Sequence, residues 1–128
     1  MLLHKKTVDQ NQAAAFGDSD MRVYSAILNQ TSTSNPTILE IKNTIGITPT
    51  IVRPGFFAGI YELTFTGGLF LIDKTIILML NGSFSTPPGF IAAQRNSDEV
   101  FLIQTFNSSG IPVDDILTNA SLLITLYN

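Results

Sequence analysis

From Met21 onward the chain rarely runs more than about a dozen residues without a turn-forming Gly, Pro or Asn, which limits its fold more than any other feature. The intervening stretches are rich in Ile, Leu, Val, Phe, Tyr and Thr and too short for a stable helix. In chain order they read "MRVYSAILNQ", "TILEIK", "TPTIVRP", "AGIYELTFT", "KTIILML", "GFIAAQR", "EVFLIQTF" and "SLLITLYN". In the fourth, Tyr61, Leu63 and Phe65 alternate with Glu62, Thr64 and Thr66, the period of a half-buried strand. Pro49 and Pro54 bound the third and mark it as an edge strand that cannot donate at every position. Asn81-Gly82 predicts a hairpin after the fifth, and Asn96-Ser97-Asp98 a turn between the sixth and seventh. The segment "NSSGIPVDDILTN" reads as a loop with one helical turn after Val113. The expected fold is all-β: an antiparallel β-sandwich or jelly-roll-like barrel of seven to eight short strands over residues 21–128. Residues 1–20, without strand alternation, are expected to form an N-terminal arm.

Several of these strands are apolar on both faces, whereas an antiparallel sandwich strand normally turns one face to water. In "KTIILML", Ile76, Leu78 and Leu80 oppose Ile77 and Met79. In "SLLITLY", Leu122, Ile124 and Leu126 oppose Leu123, Thr125 and Tyr127, and in "MRVYSAIL", Val23 and Ile27 oppose Tyr24, Ala26 and Leu28. The second face must meet a third layer, either a loop of this chain (residues 106–120 or the arm) or another chain. Composition favours another chain. Only 13% of the 128 residues are charged and the net charge is -3, against about 25% charged in a typical soluble protein, so little keeps copies apart. A homo-oligomer, dimer or trimer, is expected, with Tyr24, Ala26, Leu28, Ile77, Met79, Leu123 and Tyr127 as candidate subunit-interface residues.

The sequence assembles no catalytic, cofactor-binding or metal-binding constellation. There is no cysteine, hence no disulfide, thiol nucleophile or Cys-ligated metal. The lone histidine, His4, falls in the arm, where nothing would hold an imidazole in a triad. Glu40 and Glu62 both lie on predicted strands and are candidates for the paired carboxylates of a glycosidase-type hydrolase, with Glu62 on a polar face where a solvated charge is expected. Asp18 and Asp20 suit an Asx turn, and Asp114-Asp115 suits the start of a helical turn; cation ligation is the rarer use of either pair. Tyr24, Tyr61 and Tyr127 are the candidates for stacking on a sugar, with core or interface packing the commoner role. The start "MLLHKK" lacks a signal-peptide core, Asp73 and Lys74 break the longest apolar run, and the basic residues are scattered singly. Synthesis inside a cell, with neither membrane nor nucleic acid as partner, is the expectation.

Tyr24, Leu28, Gln30, the Ser/Thr tract with Pro36, then Asn43-Thr44-Ile45-Gly46 and Gly59-x-Tyr61 together resemble a family of short proteins encoded among the structural genes of tailed phages of Bacteroidetes hosts. The likeness covers residues 24–66, and the closing "LLITLYN" is similar to the ends of such proteins. The resemblance implies a virion component made in the host cytoplasm, a capsid decoration or head-fibre subunit, with the capsid as a second partner and no assigned reaction. A lectin-like or receptor-binding module at a fibre tip is the alternative. In either setting Gly46 and Gly59 would serve as turn or close-approach positions.

Overall fold

A computed structural model describes residues 21–55, 57–80 and 89–127; the expected arm, Asn81-Gly82 and His4 lie outside the described residues. Among the described residues eight strands form: β1 (Met21–Asn29), β2 (Thr37–Asn43), β3 (Thr50–Val52), β4 (Ile60–Thr64), β5 (Thr75–Leu80), β6 (Gly89–Arg95), β7 (Val100–Asn107) and β8 (Ala120–Tyr127). All pairings are antiparallel, in two four-stranded sheets ordered β2-β1-β8-β5 and β3-β4-β7-β6. The sheets do not join into a barrel: β2 and β5 end the first, β3 and β6 the second. The sandwich is therefore the correct one of the two expected architectures. The short β3 does occupy a sheet edge, as Pro49 and Pro54 require.

Three hairpins are local in sequence, β1–β2, β3–β4 and β6–β7. The long-range pairs β1–β8 and β4–β7 hold the centre of each sheet. On either side of Asn81-Gly82, β5 pairs with β8 and β6 with β7, in opposite sheets.

Between the sheets lie Tyr24, Ala26 and Leu28 of β1, Leu122, Ile124 and Leu126 of β8, Tyr61 and Leu63 of β4, and Phe101 and Ile103 of β7. Phe65 anchors an aromatic cluster, 5.0 Å edge-to-face from Tyr24 and 4.9 Å from Phe70, with Phe101 4.8 Å from Phe70. Such offset contacts add to simple area burial. The 108–119 segment has no helical turn after Val113, contrary to expectation. It instead sends Ile116 and Leu117 inward, Leu117 into the core and Ile116 to within 3.1 Å of where a Cβ on Gly89 would sit.

Candidate functional site

Side chains alternate across a strand, so the inward set on each strand defines the outward one. On the β2-β1-β8-β5 sheet the outward rows can be read from the registers. Leu39, Ile27, Ser121 and Leu80 lie across one row, and Lys42, Ser25, Leu123 and Leu78 across the next. Val23, Thr125 and Ile76 form a third, with Met21 and Tyr127 beyond. A bulge opposite Ser25 and Ala26 inserts Ile41 into β2. Leu39, Ile41, Ile76, Leu78 and Leu80 are 46% to 60% exposed. Among the described strand residues of this face Lys42, on the edge strand, carries the single charge. An aliphatic sheet face of this extent is the feature that most needs a functional explanation.

The seven candidate interface residues divide. Leu123 and Tyr127 do lie on the outward face, both half-buried. Tyr24, Ala26 and Leu28 do not: they are core residues, at most 1% exposed. Ile77 and Met79 also face inward, opposite Ile124 and Leu122, and pack on the core. The outward partners on those strands are Val23 and Ile27, and Ile76, Leu78 and Leu80. With both faces apolar, periodicity shows that a strand has two greasy sides but not which one looks in; the β8 register decides it.

The candidate chemistry is scattered. Glu40 lies on the edge strand β2 and accepts a 3.0 Å bond from Asn43 Nδ2, while Glu62 faces outward from the other sheet, so the two carboxylates do not converge. Asp18 and Asp20 are outside the described residues. Among the described residues no group of three or more His, Cys, Asp or Glu is placed to hold a metal ion, and no helix is long and apolar enough to cross a membrane. Tyr24 and Tyr61 are in the core, leaving Tyr127 alone of the tyrosines accessible for stacking. Burial, with the nearby Glu40 charge, pushes the Tyr24 hydroxyl up to about 12.

One polar cluster is built rather than scattered. Asp114 receives a forked contact from Arg53, 3.0 Å from Nε and 2.8 Å from Nη2, and a 3.0 Å bond from the Gly59 amide. The Tyr61 hydroxyl donates to Asp114 Oδ1 at 2.9 Å and also touches Gln30 Oε1, which accepts from the Asp115 amide at 2.8 Å. Burial pushes the Asp114 carboxyl up, but the bonds from Arg53, Gly59, Tyr61 and Gln30 outweigh it and hold the group at about 2. The Tyr61 hydroxyl rises to about 12, chiefly from burial, with the Asp114 charge adding to it. A carboxylate this stabilised and a phenol this reluctant to ionise are poor proton-transfer groups near neutrality. The cluster works as a clamp between the end of β1, the β3–β4 connection and the 108–119 segment. Asp115 is in the left-handed region at φ 66° and accepts from the Ser32 amide, so the Asp114-Asp115 pair braces a loop instead of starting a helix.

The uncharged polar residues of the turns have the same role. Asn29 and Asn119 bond to each other across the sheet end, and Asn43 Oδ1 accepts from the amides of Ile45 and Gly46. Thr44 Oγ1 accepts from the Val23 amide, tying the end of β2 back to β1. Gln30, Asn43, Thr44, Gly46, Gly59 and Tyr61 are thus loop-stitching residues. No family model matches the sequence, and comparison with curated proteins and with solved structures gave no significant match.

Proposed function

We propose that this chain is a non-enzymatic structural subunit of a tailed-phage virion, made in the host cytoplasm, that acts by packing against copies of itself and docking on the particle as a capsid decoration, head-fibre or other accessory protein. The observation that carries the packing role is the aliphatic outer face of the β2-β1-β8-β5 sheet, where Leu39, Ile41, Ile76, Leu78 and Leu80 stand exposed beside a single charge. Water-facing strands of a free monomer ordinarily carry polar residues at such positions. The particle setting rests on the residue 24–66 likeness alone. The fibre-tip lectin alternative has less behind it, because two of the three tyrosines that would stack on a sugar are buried in the core.

Mass spectrometry of purified phage particles tests this reading directly. The expected result is peptides of this chain at a fixed ratio to the major capsid protein. Abundance in infected-cell lysate with absence from particles would reject the virion role, whatever the chain's own state of association.

A further inference from the structure

Resting on the self-packing part of that reading, we infer that the outer face of the β2-β1-β8-β5 sheet is covered by the same face of a second copy, giving a two-fold dimer in which the two apolar sheets stack.

Three observations point to a second copy as the occupant. The first is size. Four strands about 4.8 Å apart, each seven or so residues long at about 3.3 Å rise, give a face of roughly 20 by 25 Å. The accessible area of a surface studded with side chains exceeds that projection, which brings it near the roughly 800 Å² per partner of a standard interface. The second is chemistry. The central strands β1 and β8 present Val23, Ser25, Ile27, Leu123 and Thr125, none of them charged. Such a face has nothing with which to select a charged partner, yet an identical aliphatic face complements it without unpaired charge. The third is the position of Lys42. It sits on the edge strand β2, where its ammonium can stay in water at the rim while its stem covers apolar surface.

The other sheet shows why this face and not that one. Its outward side also holds apolar groups, with Phe90 and Val52 58% and 40% exposed and Phe90 paired with Phe106. But its rows pair Ile60 with Gln104, Glu62 with Leu102 and Val52, and Leu102 with Gln94, so a carboxylate stands in its middle. Stacking that face on its own copy would bury Glu62 with no cation provided by the same rows.

The absence of cysteine makes the test clean, because a single introduced thiol is the only one present. Ser25→Cys and Leu78→Cys place it on the proposed interface, Gln104→Cys on the opposite outer face. Maleimide labelling of each full-length variant is followed from submicromolar to tens of micromolar protein, alongside sedimentation of the same samples. The expected result is labelling slowed by at least about tenfold at high concentration for Ser25→Cys and Leu78→Cys, following mass action, with Gln104→Cys unchanged. Fast labelling of Leu78→Cys in a chain that still sediments as an oligomer would overturn this interface and leave self-assembly standing. Protection that does not vary with concentration, in a chain that sediments as a monomer, would mean that the chain covers the face itself and would overturn both. Near-native circular dichroism qualifies each variant. If either interface variant misfolds, the other carries the test.

Discussion

The two outer faces of this sandwich are built on the same plan and end in different chemistry. Each belongs to a four-stranded antiparallel sheet with a long-range pair at its centre. Each inner face feeds one shared core of Leu, Ile, Tyr and Phe. Outward, β4, β7 and β6 carry Glu62, Thr64, Gln104 and Gln94 among Ile60, Val100, Leu102, Phe106, Phe90 and Ala92, so every strand there shows water at least one polar group. Outward, β1, β8 and β5 carry Val23, Ile27, Leu123, Ile76, Leu78 and Leu80. Inner residues specify the fold on both sheets alike. The outer residues of one sheet add apolar surface that none of the described residues covers, and that surplus is where function should be sought.

The comparison breaks most easily with a charge on each face. Leu123→Glu, at the centre of the apolar sheet, is expected to weaken self-association by roughly 100-fold or more, since a carboxylate would be desolvated there without a partner. Gln104→Glu on the other sheet is expected to leave native mass unchanged, as measured by sedimentation or native mass spectrometry. Equal effects from the two would erase the distinction between the faces.

Substitutions in the clamp sharpen the comparison by separating stability from association. Gly59 sits at φ +72°, and an added Cβ would press on the Thr105 carbonyl and lie 2.8 Å from the Val113 amide nitrogen. Backbone atoms cannot move aside as a flexible side chain can. Gly59→Ala is therefore expected to cost about 2–4 kcal/mol in denaturant unfolding. Tyr61→Phe removes a hydroxyl shared by Gln30 and Asp114, with an expected loss of about 1–2 kcal/mol. Neither change touches the apolar outer face, so the folded fraction should keep its native mass.

The smallest expected effect is on pH dependence. Asp114 titrates near 2 when folded, below its ordinary 3.8. A depressed carboxyl contributes stability that is complete above the unfolded value and is lost as pH falls through the folded one. Between about pH 4 and pH 2 this should remove about 1 kcal/mol after allowance for solvent screening. Asp114→Asn should flatten that part of the stability profile relative to the parent chain. An unchanged acid limb would show that Asp114 is not stabilised by the clamp.

Much of this was legible in the sequence, and the exceptions share a cause. The strands announced themselves through turn residues, and β5 and β8 showed in the sequence that both of their faces are apolar. Which face of β1 turns inward was not legible, because Tyr24-Ala26-Leu28 and Val23-Ile27 are both apolar and only pairing with Leu122, Ile124 and Leu126 settles it. The clamp was missed because Gln30, Arg53, Tyr61 and Asp114 are far apart in the chain and form no spacing motif. The one available signal was a residue out of pattern, Gln30 buried at the end of an apolar strand.

The central proposition is that the outward Leu and Ile of the β2-β1-β8-β5 sheet are covered in solution by a second copy of the chain. Sedimentation equilibrium of the full-length chain at micromolar concentration tests it most directly. The expected mass is twice that of the 13.9 kDa chain, falling toward one chain in Leu123→Glu. A single-chain mass for the parent protein across that range would contradict it.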